Sequence, residues 1–375
     1  MIPLSRLCGQ EGVKRAILDF VNRNRPASAY LFYGREGVGK WQAAVCVAAL
    51  LNCDNRVVDE DGRVIDFCGV CRNCIQVLNL GFPEMHIAMA LPPFRSESEG
   101  AALSLEFLEE KKKEPYKIIT SSRQTTIPIQ TAREIKRKTA IKPGEGTKRL
   151  IIFYQMEKML PASADSLLKL IEEPPPETVI IMTARDPGNL LPTIQSRAHK
   201  VRFGPISESE IVRYISDRYD EEADKLELIA GLSEGSLGRA LELISDESAS
   251  SLRQVSFYMF KGLFVKETSS AIATLIELLN PNDRGQGQVV LSHWQSFISD
   301  LIVIKYGREG SEIVNKDLRL ELEKLAGHIY GYDQIGRMEE VIRDVLISLG
   351  RNAHMRLAFA ALAFRLRDRI YLPGR

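Results

Sequence analysis

No apolar run in this chain reaches the length of about eighteen residues that a helix needs to cross a bilayer. A membrane span is therefore not expected, nor a membrane partner. The opening residues, MIPLSRLCGQEGVKRA, lack the apolar stretch of a secretory signal, so the expectation is a cytoplasmic protein. Neither sign of charge prevails: 50 Lys and Arg stand against 49 Asp and Glu, a net +1. The mean field gives no argument for nucleic acid, and only a local patch could. Internal repeats and low-complexity segments are absent too. Six cysteines in 375 residues are too few for a disulfide scaffold. Four of them nevertheless fall between positions 53 and 74, and that clustering asks for a cause.

What is present is the composition of an ordinary globular protein, 45% hydrophobic and 26% charged, long enough for two or three cores. In the first 205 residues short apolar runs alternate with helical patterns. AYLFYG (29–34), RLIIFYQ (149–155) and TVIIMTA (178–184) read as buried strands, and WQAAVCVAALLNC (41–53) as a helix. Such alternation predicts an α/β fold with a parallel sheet covered on both faces, and ligands at the carboxyl ends of its strands. Residues 95–125 are charged and poor in period, which predicts a surface insertion. From about 206 to 246 the pattern is a small helical domain. From 247 to the end apolar residues recur at three- and four-residue spacing, with breaks at NPNDRGQG and GREGSE, which predicts a separate all-helical domain.

The first strand runs into YGREGVGKW. Gly34, four residues, Gly39 and Lys40 have the spacing of a phosphate-binding loop, with Gly37 inside it. Its glycines would let backbone N–H groups converge on phosphate at a helix N-terminus, and Lys40 would reach the outer phosphates. The next residue in the pattern is a Ser or Thr that holds Mg²⁺; here it is Trp41. The strand RLIIFYQ should end on an acidic pair, and has Gln155 and Met156 instead; Glu157 is expected to swing off the site. Loss of a positioned base alone reduces turnover by about 10² to 10⁴. Little or no intrinsic hydrolysis is expected, and Mg²⁺ is not held in the usual way. The loop amides and Lys40 leave ATP or ADP binding open, with the indole at 41 crowding the phosphates.

Cys53 is followed by CGVCRNC, which supplies Cys68, Cys71 and Cys74. Two residues between each pair let a tight turn aim the sulfurs at one centre, and four thiolates make a closed, structural zinc site. An iron–sulfur cluster is the alternative, and four free thiols the plain one. Cys46 belongs to the apolar face of the loop helix.

Together these residues resemble the clamp-loader AAA+ ATPase family of the bacterial DNA polymerase III holoenzyme. GQEGVKRAI, ASAYLFYG and the cysteines after the loop helix carry part of the likeness. The stretch ADSLLKLIEEPPPETVIIMTARDPGNLLPTIQSRAHKVRF is its most specific part. WQSFISDLIVIKYG and NAHMRLAFAALAFRLR are similar to the collar domain of the family's delta-prime branch. The resemblance implies a P-loop AAA+ sheet domain over 1–205 with a zinc module at 53–74, a helical lid over 206–246 and a helical collar over 247–375. Motor members, gamma and tau, keep the loop hydroxyl and the acidic pair. This chain has Trp41, Gln155 and Met156, and Ala184 where a sensing polar residue would sit. These departures imply a non-catalytic, stator-like subunit that assembles with gamma/tau motors and the delta subunit to load the sliding clamp onto primed DNA. In the family's Ser-Arg-Cys motif, here Ser196, Arg197 and Ala198, the arginine reaches a neighbour's ATP. Arg197 is thus the implied arginine finger, against a surface arginine pairing a local acid. Arg239 matches a sensing arginine of the motors and is expected to be structural. An active motor that uses Glu157 is the alternative.

The segment TAREIKRKTAIKPGEGTKR (131–149) is basic, and Arg133, Lys136 and Arg137 can share one helix face. A solvated face explains this; contact with primer-template DNA phosphates is the sharper reading. No aromatic residue interleaves to stack on bases.

Overall fold

A computed structural model describes residues 3–23, 29–119, 124–221, 223–245, 247–264, 284–307, 312–329, 331–350 and 354–371. The expected helix breaks fall partly outside them, at 280–283 and 308–311, as does the end of the insertion at 120–123. Two compact units emerge, one of Met1–Tyr219 with Glu234–Glu242, the other of Asp220–Ser233 with Leu243–Arg375.

The first unit runs α1 (Glu11–Val21), β1 (Ala29–Tyr33), α2 (Lys40–Asn52), β2 (Val57–Val58), β3 (Val64–Asp66), α3 (Arg72–Leu78), β4 (Met85–Met89) and α4 (Glu97–Lys113). It continues with α5 (Ile129–Thr139), β5 (Arg149–Tyr154), α6 (Pro161–Glu172), β6 (Thr178–Ala184), α7 (Pro192–Gln195), β7 (His199–Arg202) and α8 (Glu208–Ser216). Five strands form one parallel sheet in the order β4-β5-β6-β1-β7. The unbroken apolar runs of β5 and β6 are what a strand needs when both faces are covered, and every residue of both is buried. Register aligns Tyr33 with Ala184, and the Gly34 N–H donates to the Ala184 carbonyl at 3.2 Å. The loop after β1 therefore opens beside the carboxyl end of β6. All thirteen residues of α2 are buried, which is why its sequence shows no polar face. The three strands and the helix expected from the sequence are present; β4 and β7, short and mixed in polarity, were not anticipated.

Residues 95–119 lie mostly at the surface, but they form a regular helix with an inward face. Most of this segment is α4, capped by Ser96, whose hydroxyl accepts from the Glu99 N–H at 3.2 Å. Phe107 and Lys111, one turn apart, are buried, and so is Tyr116 just beyond. The apolar signal was weak because a lysine holds one of the inward positions.

In the second unit α9 (Ala223–Leu232) precedes the end of α10 (Leu237–Ser245), then α11 (Glu247–Gly262), α12 (Arg284–Tyr306), α13 (Arg319–Ala326), α14 (Tyr332–Gly350) and α15 (Met355–Tyr371). Phe260, Trp294, Phe297, Met338 and Phe359 lie in one apolar core there. The Trp294 indole donates to the Ser256 carbonyl at 2.9 Å, and His293 is buried beside it, so both belong to the interior. Among the described residues no helix is long and apolar enough to cross a membrane.

Candidate functional site

The loop between β1 and α2 is built by glycines in conformations closed to most residues: φ is +70° at Gly37 and +100° at Gly39, which caps α2. Lys40 follows, and its ammonium donates to the carbonyls of Gly34 and Arg35, within its own loop. Burial lowers its pKa to about 8, with Glu36 and Glu157 pulling the other way. Trp41 points inward, edge-to-face with Phe107 at 5.9 Å and with Tyr154 at 5.6 Å, and its indole N–H meets no acceptor among the described residues.

The far wall is the end of β5 and β6. The Gln155 backbone N–H donates to the Thr183 hydroxyl oxygen at 2.9 Å, and its side-chain amide donates to Glu36 at 2.8 Å. Glu157 does not swing away as expected. It lines the same pocket as Lys40; one oxygen accepts from the Arg185 N–H at 3.0 Å, and the other is buried with no hydrogen-bond partner among the described residues. The single 3₁₀ turn over Met156–Lys158, entered through Gln155 at φ +58°, folds Glu157 back in. Its carboxyl pKa is raised, chiefly by burial. Ala184 closes that wall without a polar group.

Two residues that the sequence did not point to complete the pocket. Lys111 enters from α4, its ammonium donating to the Lys117 carbonyl at 2.5 Å and lying 5.0 Å from the Tyr154 ring centre. Burial lowers its pKa to about 7. Tyr116 lies against Gly39 and accepts from the Cys8 N–H at 2.8 Å. The cavity left among these groups is about 20 Å³.

At the other end of α2 the four cysteines converge. Cys53 ends that helix, Cys71 caps α3 by accepting from the Cys74 N–H, and all four sulfurs lie within 4.8 Å of one another. Sulfurs at the corners of a tetrahedron around zinc stand about 3.8 Å apart, given a bond of about 2.3 Å. Cys53 and Cys68 are separated by 3.5 Å, Cys68 and Cys74 by 4.0 Å. Backbone N–H groups of Cys68, Cys71 and Cys74 point at the sulfurs of Cys53, Cys68 and Cys71, at 3.3–3.4 Å. Such donors stabilise thiolate, and the Cys68 pKa is lowered to about 6 mainly by amides of this turn, whereas burial raises those of Cys53 and Cys74. The set can hold one tetrahedral metal ion.

Arg197 follows α7 and is partly exposed. It pairs with Glu172 at the end of α6 and donates to the Thr193 carbonyl at 2.7 Å and the Ser196 hydroxyl at 3.3 Å. Arg239 is pushed below its usual pKa by burial, beside Glu234 and Glu242. On α5, Ala132 and Ile135 face inward and Arg133, Lys136 and Arg137 outward. Arg149 leaves the basic group: it is 2% exposed and paired with Glu84 at 2.7 Å. Lys148 is paired with Glu177.

The profile of the family described as "DNA polymerase III, delta subunit" matches residues 9–207. DNA polymerase III subunit delta' of Bacillus subtilis is 27% identical over 247 residues, which is 66% of this chain and 63% of that protein. Subunit tau of Escherichia coli is 27% identical over 253 residues, 66% of this chain and 33% of that protein. The chain thus spans between a third and just under two thirds of the length of these relatives. Among solved structures, a gamma subunit-related protein of Thermotoga maritima aligns over 96% of this chain and 99% of its own, at 14% identity and a TM-score of 0.40.

Proposed function

The chain belongs to the DNA polymerase III delta subunit family, within the clamp-loader AAA+ group, and from that premise we propose that it is the stator-like, delta-prime-type subunit of a bacterial replicative clamp loader. It assembles with gamma/tau motor subunits and a delta subunit in the cytoplasm to place the sliding clamp on primed DNA. Its three parts are an AAA+ domain over 1–205, a lid over 206–246 and a collar over 247–375. Leu357 and Phe364, seven residues apart on α15 and exposed, offer the collar an apolar strip for a neighbouring subunit.

The observation that carries the stator reading is the pocket. A motor needs a hydroxyl and a carboxylate to hold Mg²⁺; at those places stand an indole packed between two rings and a glutamine bound to Glu36. Gly34, Gly37, Gly39 and Lys40 keep the form of a phosphate loop, but Lys40 already serves two loop carbonyls. Zinc in the four-cysteine site would fix the end of α2 to α3 and has no open position for chemistry.

Arg197 is the finger. A guanidinium keeps its charge at any working pH and offers paired donors to phosphate oxygens. Its partner Glu172 is itself exposed, so release toward a neighbour's γ-phosphate costs about 1 kcal/mol or less. In a reconstituted loader, Arg197→Ala is expected to leave assembly intact and slow hydrolysis at the adjoining motor by about 10³ or more. Unchanged hydrolysis would refute the finger.

One observation favours a second reading, a motor ATPase with a displaced acid: Glu157 does line the pocket. ATP turnover by the purified chain that Lys40→Ala abolishes would establish it.

A further inference from the structure

The volume above the loop is filled by this chain itself. An ordinary small-molecule site measures about 300–1,000 Å³; here the free cavity is about 20 Å³, room for one water. Of the groups around it, Lys111, Pro115 and Tyr116 come from one segment, which also carries Phe107 behind Trp41. Phe107 packs against Trp41 and Tyr154, at 5.9 and 5.2 Å between ring centres. Lys111 lies 2% exposed over the Tyr154 ring. Tyr116 is so close to the loop that a Cβ on Gly39 would stand 3.0 Å from its ring.

The same segment meets a clasp on the loop. The Gly238 N–H donates to the Gly37 carbonyl at 3.0 Å, and the Ser236 hydroxyl to the Glu36 carbonyl at 2.8 Å. Arg35 reaches the Glu234 carboxylate at 2.7 Å. The Tyr116 carbonyl sits directly on Gly238: a Cβ there would come within 2.4 Å of it. The start of α10 is thus packed backbone to backbone against both the loop and the inserted segment, and the Tyr116 ring closes the remaining side against Gly39.

We infer that residues 107–118 are a built-in ligand: they occupy the volume a nucleotide would need above the phosphate loop and hold the loop, the end of β5 and residues 234–242 in one arrangement without one. This rests on reading 34–40 as a phosphate loop. A ligand that binds only the ordered state stabilises it; here the ligand is covalently part of the chain, so its effective concentration never falls. The pocket then stays in one state while neighbouring subunits cycle through theirs.

Hydrogen–deuterium exchange on the full chain tests this. In the wild type, amides of 34–40 and 234–242 are expected to exchange slowly, and millimolar Mg–ATP to change nothing. The double variant Phe107→Ala, Lys111→Ala is expected to speed exchange in both segments by about tenfold or more. Gly238→Ala, whose new methyl must displace the Tyr116 carbonyl, provides the same test should the double variant unfold. Exchange that stays at the wild-type rate in either segment of a folded variant overturns the inference. So does a wild-type chain whose loop is slowed by nucleotide. The stator proposal fails separately, on turnover by the wild type or on an Arg197→Ala loader that hydrolyses normally.

Discussion

Two lysines, Lys40 and Lys111, are buried in the same small volume, and burial works against the charge on each. Lys111 has the larger shift. Unfolded, a lysine keeps its proton up to its ordinary value of 10.5; folded, Lys111 releases it near 7. Between those values the unfolded chain binds more protons, so this residue makes stability rise with pH, and its penalty is complete below the folded value. Lys111→Met, similar in volume and uncharged, is therefore expected to melt above the wild type near neutral or mildly acidic pH. The advantage should shrink as pH climbs toward 10.5. Thermal melts of the two proteins across that range give the difference, to which repulsion between Lys40 and Lys111 contributes. A difference that does not change with pH would mean that the Lys111 ammonium is in water. Replacing Phe107 with alanine removes a ring from the Trp41–Tyr154 cluster, and a loss of about 3 kcal/mol or more in unfolding free energy is expected by denaturant titration.

At the level of elements, the cysteine turn and α5 make separate predictions. Four sulfurs within 4.8 Å of one another imply mutual repulsion of thiolates unless a cation neutralises them. Elemental analysis of the purified chain is expected to find about one zinc per chain. Cys71→Ser should lose it, because a hydroxyl replaces one of the four thiolates; a preparation with iron, or with no metal, contradicts the site. On α5 the outward Arg133, Lys136 and Arg137 would meet phosphates. Changing two of them to glutamine in the assembled loader should weaken binding to any DNA sequence alike and lower the salt slope by about 2. An unchanged slope would leave the helix a solvated face. Elements with continuous or strictly periodic apolar runs were legible: β1, β5, β6 and α2 came through almost to the residue. β4 and β7 did not, since MHIAM and HKVR carry polar residues and depend on neighbouring strands for their pairing. The helix α4 was hidden by its own composition, because ESEGAALSLEFLEEKKK places a lysine where the periodicity looks for an apolar residue.

At the level of the whole molecule, what the loop and its flanking strands no longer possess was plain from Trp41, Gln155 and Met156. What replaced it was not. Glu157 returns to the pocket through a left-handed Gln155, a backbone choice that leaves no mark in composition. Phe107, Lys111 and Tyr116 are about seventy residues away from the loop in sequence and come to it only through the fold of the sheet domain. The central claim is that this subunit keeps the frame of a nucleotide site and performs no nucleotide chemistry in it. Titration calorimetry of the purified chain with Mg–ATP, with turnover measured in the same samples, tests that most directly. No saturable heat and no phosphate release are predicted for the wild type, and none for Lys40→Ala. Saturable binding with turnover in the wild type, both lost in Lys40→Ala, would contradict it.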